Sequence, residues 1–362
     1  MMTRLAAATT ATAAAALTLV GCSPATESGP TSTVSVASPE PSVSAVALPP
    51  APEDPTPEVA WPLTGVDASD ATKKELNRPA LSIKIENTEA ARPQENLDKA
   101  DVVFEEYVEY GISRFVAVFQ SEYPESVGPI RSMRPMDKNI MGSFDGPLIF
   151  SGAQSRFISS TASSGQEIIT QDRGDYGFYR TSTRSAPHNL HGYLAKFLEQ
   201  TDADAPDAQW EIAYPASEAT AQLEGEKASF IDITMSPRAL PEWRWNKSDR
   251  VWERYEDGEA HVTSAGTQLT ADNVVMLWVK VRYTSGSSTS SVPETLVAGE
   301  SGEGYVASGN KYIPITWSKA GQFDPFVLTT LDGDEVELKA GKTWFELVPS
   351  SGVGNSTDIA IS

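Results

Sequence analysis

Polar side chains that could do chemistry gather in the first half of this sequence. Gly128-Pro129-Ile130-Arg131-Ser132-Met133-Arg134-Pro135 sets two arginines three apart, just ahead of a proline-started helical pattern. A guanidinium offers a rigid fork of N–H donors, and a helix N-terminus adds free backbone N–H groups. Arg131, Arg134 and the Ser132 hydroxyl would therefore suit a carboxylate or a phosphate. The competing use of these arginines is internal, as partners for Glu105 or Glu109 of Glu105-Glu106-Tyr107-Val108-Glu109, since buried acids and arginines neutralise one another.

Glu105 and Glu109 would share a face whether the segment were strand or helix. As a strand they would stand about 13 Å apart at ~3.3 Å per residue, beyond the roughly 5–9.5 Å of a glycosidase carboxylate pair. Val102-Val103-Phe104 before them reads as strand, so a glycosidase is weakly supported. His188 and His191 flank Asn189, the expected N-cap of a helix running to Gln200. No acid follows on that helix before Glu199, so no metal is expected, and His188 reads as a polar lining residue.

Other nominal motifs fail on context. Ser308-Gly309-Asn310-Lys311 has the Ser-x-x-Lys spacing but straddles a turn signal. Ala340-Gly341-Lys342-Thr343 is half a phosphate loop, with Val336 where its first glycine must stand. The single cysteine excludes an internal disulfide, a cysteine-cluster zinc site and an iron–sulfur site. No cofactor is indicated.

The elements that position these residues follow from the chain's organisation. It has 362 residues and a formal net charge of −21, the wrong sign for a nucleic-acid binder. Residues 1–21 form an Ala- and Leu-rich leader with Arg4 as its one charge, too short and too weakly apolar for a membrane span. Leu19-Val20-Gly21-Cys22 at its end has the form of a bacterial lipobox, in which the Cys22 thiol is alkylated by a diacylglycerol. Lipidation would tether the chain to the bilayer at the extracytoplasmic face of the cell membrane and would consume its only thiol. Residues 22–60 are rich in Pro, Ser and Thr and carry no Lys or Arg, the composition of a disordered stalk that could reach about 100 Å.

The folded part is expected to be α+β in two pieces, divided at the acidic joint Thr201 to Asp207. Residues 61–205 alternate short apolar runs (Ala80 to Ile85, Val102 to Val108, Phe115 to Phe119, Pro147 to Phe150) with helical patterns (Pro135 to Ser143, Leu190 to Gln200), an α/β-type layered arrangement. Residues 206–362 are strand-dominated and punctuated by turn signals such as Asp257-Gly258 and Gly309-Asn310, which reads as a mostly antiparallel β domain. Seven of the eight tryptophans lie at or after Trp210. Trp243 and Trp245 would share one strand face with Trp252 across a hairpin, an arrangement that could form a carbohydrate-binding surface but more often fills a β core.

Several of these residues also carry a resemblance. Arg92-Pro93-Gln94, Ala100-Asp101-Val102-Val103-Phe104-Glu105, Glu109-x-Gly111-Ile112-Ser113-Arg114-Phe115 and Gly128-Pro129-Ile130-Arg131-Ser132-x-Arg134 stand in the order found in the YerB-like bacterial lipoproteins, a family defined by a domain of unknown function. Ala186-Pro187-His188-Asn189-Leu190, Asp257-Gly258, His261, Thr316-Trp317 and Gly341-Lys342-Thr343-Trp344 extend the likeness over nearly the whole folded part. Two departures stand out: Ser151-Gly152-Ala153-Gln154 lacks a histidine, and Thr263 stands where an acid is expected. The resemblance implies a lipoprotein of two-part layout without implying an activity.

The leading expectation is thus an envelope lipoprotein that binds an anionic ligand in a cleft lined by Arg114, Arg131, Ser132, Arg134 and His188. The enzymatic alternative is a hydrolase or transferase of envelope polymers with Glu105 or Glu109 as base and His188 as acid. A third expectation, a protein-interaction scaffold, requires an exposed apolar patch around Trp243 and Trp245.

Overall fold

The computed structural model describes residues 55–284, 291–354 and 356–362. The leader, Cys22 and most of the expected stalk lie outside them. Among the described residues no helix is long and apolar enough to cross a membrane. The described residues form one compact unit.

The alternating apolar runs of the sequence become strands. In chain order the principal ones are β1 (Leu81–Glu86), β2 (Val102–Tyr107), β3 (Ser113–Phe119), β4 (Leu148–Phe150), β5 (Ile168–Thr170), β6 (Phe230–Thr234), β7 (Pro241–Asn246), β8 (Val251–Glu256), β9 (Asn273–Thr284), β10 (Val292–Leu296), β11 (Glu300–Ser308), β12 (Lys311–Lys319), β13 (Val327–Thr330), β14 (Thr343–Ser351) and β15 (Asp358–Ile361). The fold is α+β, as expected.

A mixed twelve-stranded sheet runs β12-β11-β9-β14-β2-β3-β1-β4-β5, with the two-residue strand Glu226–Lys227 at its outer end and β10 and β13 added beside β9 and β12. A six-stranded antiparallel sheet is built on β8-β7-β6-β15. The acidic joint is therefore a boundary along the chain that the sheet does not respect. β14, from the second half, pairs in parallel with β2 of the first, Glu346 beside Glu105. Residues Thr343 to Val348 are buried on both faces of the sheet, as in a central strand, and the backbone edges of β14 pair with β2 and β9.

Residue parity along each strand decides the layer it enters. Phe104, Val116 and Val118 join one core with Met136, Ile140, Phe144 and Phe345, beneath the short helices. Ile83, Val103, Phe115 and Trp344 join a second, against Ile231, Trp243 and Trp252 of the six-stranded sheet. Trp243 is fully buried and donates its indole N–H to Glu346 at 2.8 Å, while Trp245 pairs with Trp252 across the β7–β8 hairpin. Trp243 fills the interlayer space instead of facing solvent and Trp245 is half-buried, which counts against the exposed patch that the scaffold expectation requires.

Two helical expectations change. Leu190 to Tyr193 is a strand, paired with Phe178–Arg180 and with Ser126–Val127, and the helix covers only Leu194–Leu198. Asn189 is not its cap: its amide oxygen accepts from Arg180 and its amide nitrogen donates to the Thr181 carbonyl, holding a loop. The helix after the arginines is a single turn and a half, α1 (Asp137–Met141), and Pro135 precedes its N-cap Met136. So short a helix has too little dipole to build an anion site, and the arginines take their placement from the sheet.

Candidate functional site at the carboxyl edge of the sheet

β1, β4 and β5 are mutually parallel, β2 is parallel to β14, and β3 runs antiparallel between β1 and β2. The carboxyl ends of β1, β2, β4 and β5 therefore share one edge with the start of β3, the edge at which open sheets present ligand-binding loops. Glu86 ends β1, Glu109 follows β2, and Arg114, second in β3, stands opposite both Glu86 and Glu106. The segment after Pro129 lies across this edge: the Arg131 N–H donates to the Lys84 carbonyl, and the Ser151 N–H to the Arg131 carbonyl. Gly152 is required where the β4 loop meets it, with φ +93° and room for a Cβ only 2.5 Å from Ser132 Oγ.

Three guanidiniums converge there on two carboxylates. Arg131 Nε lies 3.0 Å from Glu86, and Arg134 Nε 2.6 Å from Glu109. Arg114 donates to the Ser132 carbonyl at 2.9 Å, while its Nε is buried with no hydrogen-bond partner. Burial and the adjacent Arg134 push the Arg114 guanidinium down to about 10, with Arg131 adding to the repulsion. His188 places Nδ1 2.9 Å from the other oxygen of Glu86. The side chains of Arg131, Arg134 and His188 keep 21%, 12% and 28% of their surface in solvent. Glu109, Ser132, Arg134, Gln154 and Phe157 line an open cleft of about 260 Å³.

Buried groups hold this edge from below. Lys84 is fully buried between Glu106 and Asp137. The second Asp137 oxygen accepts the Arg134 backbone N–H at 2.9 Å, tying the arginine loop to the ion triad. Burial and the nearby Asp137 push Glu106 up to about 8. From the second half, Arg238 donates to the Tyr110 carbonyl and Ser236 to that of Gly111. They pin the turn beside Glu109, where Tyr110 holds φ +64°, a conformation that costs a non-glycine residue free energy.

The opposite face of β2 carries a buried network. Arg254, with no exposed side-chain surface, pairs with Glu105 and Glu256. Glu105 also accepts from Ser113 and Asn87. His261 faces Arg254 through Nδ1 and Gln94 Oε1 through Nε2 at 2.7 Å. Arg254 can only donate, so His261 accepts at Nδ1 and carries its proton on Nε2. Burial and then Arg254 hold His261 well below the usual histidine range. Burial and the neighbouring Glu105 hold Glu346 well above the usual carboxylate range.

The residues of both halves match one described family. Residues 63–207 match the protein of unknown function (DUF3048) N-terminal domain, and residues 231–345 match its C-terminal domain. The chain belongs to the DUF3048 family. A curated relative named "Putative lipoprotein YerB", from Bacillus subtilis (strain 168), is 25% identical over 293 residues, covering 80% of this chain and 86% of that protein. A crystal structure of the YerB protein from Bacillus subtilis superposes with a TM-score of 0.71 at 21% identity, covering 84% of this chain and all of the other. It shares the fold.

In this DUF3048 chain the sheet sorts the residues that the sequence singled out. Arg114, Arg131, Ser132, Arg134, Glu109 and His188 all lie about the carboxyl edge. Glu105 does not: an odd-numbered residue of β2, it points into the interlayer network, so it cannot act as a base beside His188. His188 and Glu109 are each engaged elsewhere, with Glu86 and Arg134. His191 faces Glu95 at 3.0 Å and shares no site with His188. Among the described residues no group of three or more His, Cys, Asp or Glu is arranged to hold a metal ion. Sequence reasoning missed Glu86 and Lys84. In Leu81-Ser82-Ile83-Lys84-Ile85-Glu86 the polar positions alternate with apolar ones, the ordinary pattern of a solvated face, and only the loop laid over them makes that face interior.

Proposed function

We propose that the protein is a cell-envelope lipoprotein, tethered to the extracytoplasmic face of the membrane through acylated Cys22, whose folded part binds a small anionic group at the carboxyl edge of its central sheet. The observation that carries this reading is the imbalance of three guanidiniums against two carboxylates. Among the described residues the terminal nitrogens of Arg131 make no hydrogen bond. A carboxylate or phosphate would take the surplus charge, with Arg131 and Arg134 as the reachable forks, Arg114 as a buried source of positive potential and His188 and Ser132 at the margin. Lipobox-like Leu19-Val20-Gly21-Cys22 and the named lipoprotein relative support the tether.

Each charge-assisted hydrogen bond contributes about 1.5–3 kcal/mol. Calorimetric titration of the full-length chain with inorganic phosphate and with acetate should register binding of at least one of them. The double substitution Arg131→Ala and Arg134→Ala should weaken it at least tenfold with an unchanged circular dichroism spectrum. Equal affinity in a folded double variant removes the proposal. For the tether, Cys22→Ser should move the protein from the membrane fraction to the soluble fraction.

A further inference from the structure

We infer a second binding site, independent of the arginine edge: an aromatic groove on the outer part of the central sheet that takes a neutral or amine-bearing oligosaccharide. Trp278 of β9 and Glu303 of β11 line two adjoining clefts. The larger, about 570 Å³, continues over Lys280, Glu300 and Ser301. The smaller, about 190 Å³, continues over Tyr305 and the exposed Leu331. The larger falls within the roughly 300–1,000 Å³ typical of small-ligand sites.

The backbone is built to hold Trp278 there. β9 pairs with β11 as far as Leu277 opposite Gly304, and takes β10 as its neighbour from Lys280 onward. The Trp278 carbonyl falls at this fork, where the ladder to β11 has ended. The indole N–H of Trp317 donates to it at 3.2 Å. Glycine at position 302 permits that crossing, because a Cβ there would lie 2.8 Å from Trp317 Nε1 and 2.9 Å from the Trp278 carbonyl. One tryptophan thus caps the backbone of the other and leaves the Trp278 ring half-buried beside the groove.

The groups left over are those a sugar uses. Among the described residues the Trp278 indole N–H has no acceptor, and neither Glu303 nor Ser301 has a side-chain partner. An indole packs its face against sugar C–H bonds while its N–H meets a hydroxyl, and a carboxylate accepts from hydroxyl or ammonium groups. Charge selects among sugars. Lys280 and Glu300 neutralise one another at 2.9 Å, so Glu303 is left as an uncompensated negative charge in a chain of net −21. A hexosamine is favoured, a neutral sugar accepted and a uronic acid repelled.

The test is calorimetric titration of the full-length chain with tetramers of glucosamine, N-acetylglucosamine and galacturonic acid. The expected order is glucosamine first, N-acetylglucosamine second, and no binding of galacturonate. Trp278→Ala should weaken glucosamine-tetramer binding at least tenfold, Trp278→Tyr should keep most of it, and Glu303→Gln should erase the preference for the amine. Glu303→Gln alters an exposed side chain, so it reports on the site even if Trp278→Ala fails to fold. The Arg131→Ala, Arg134→Ala double variant should bind the saccharides as the parent does, which keeps the two sites' tests separate. Absence of binding by all three tetramers at millimolar concentration, binding of galacturonate as tight as that of glucosamine, or full affinity in folded Trp278→Ala would each overturn the inference.

Discussion

Two arginine–carboxylate clusters lie back to back across β2, and they differ in what covers them. Glu105 and Glu106 are neighbours in sequence, yet one enters the Arg254 network and the other stands beneath the Arg131–Arg134 edge. The Arg254 cluster is roofed by the six-stranded sheet, and its charged side chains are at most 3% exposed. The other cluster is roofed by the loop from Arg131 to Pro135 and keeps Arg131 and Arg134 in contact with water. Identical residue types thus become a strut under a sheet and a candidate site under a loop. Layering decides, because desolvation makes an unpaired charge intolerable in the first place and affordable in the second.

The contrast can be broken most forcefully at Arg254. Replacing it by Met strands Glu105 and Glu256 without their cation, and removing one partner of a buried pair costs about 3–5 kcal/mol. Urea unfolding should show that loss, whereas a midpoint close to that of the parent would mean the network is not a strut.

A pH series sharpens the comparison from the other side of β2. Glu106 is raised to about 8 in the folded chain from an ordinary value of 4.5. Between those values the folded state holds a proton that the unfolded state has released, so this group's contribution to stability is complete below the ordinary value and is lost as pH rises toward about 8. Glu106→Gln should remove that contribution, and the variant's stability should fall less steeply than the parent's from pH 5 to 8 in the same unfolding assay. Parallel slopes would contradict the assignment. His261 acts with the opposite pH sense. Its lowered value means that stability is lost as pH falls below its ordinary 6.5, so His261→Gln should resist mild acid better than the parent.

Smaller effects are expected at the open edge. Gly152→Ala forces a left-handed residue against Ser132 Oγ and should cost about 1–2 kcal/mol, with reduced anion binding as the loop shifts. Arg131→Ala leaves Glu86, 1% exposed, with His188 as its remaining ion-pair partner, so the loss should exceed the about 0–1 kcal/mol of an exposed pair and stay below the about 3–5 kcal/mol of a wholly buried one. A large loss of stability there would place Arg131 among the struts.

Much of this could be read from the sequence. Apolar runs marked β1 to β4 of the first half but not the sheet they share with strands of the second half, and the spacing of Arg131 and Arg134 marked the segment that crosses the carboxyl edge. What could not be read was which strand faces become interior. Lys84 and Glu86 alternate with isoleucines as surface residues do, and Glu105 looks like a partner of Glu109 until β14 arrives from more than two hundred residues away to fix the layer it enters. Leu190 to Tyr193 suits either a strand or a helix by composition, and its pairing with Phe178–Arg180 settles the choice. In each case a long-range contact overrides a local pattern.

Anion titration of the full-length chain beside its Arg131→Ala, Arg134→Ala variant addresses the imbalance of charge at the sheet edge most directly. The account predicts binding of phosphate or acetate by the parent and at least a tenfold loss in a variant that remains folded. Undiminished binding in that variant, or a parent that binds neither anion, would contradict it.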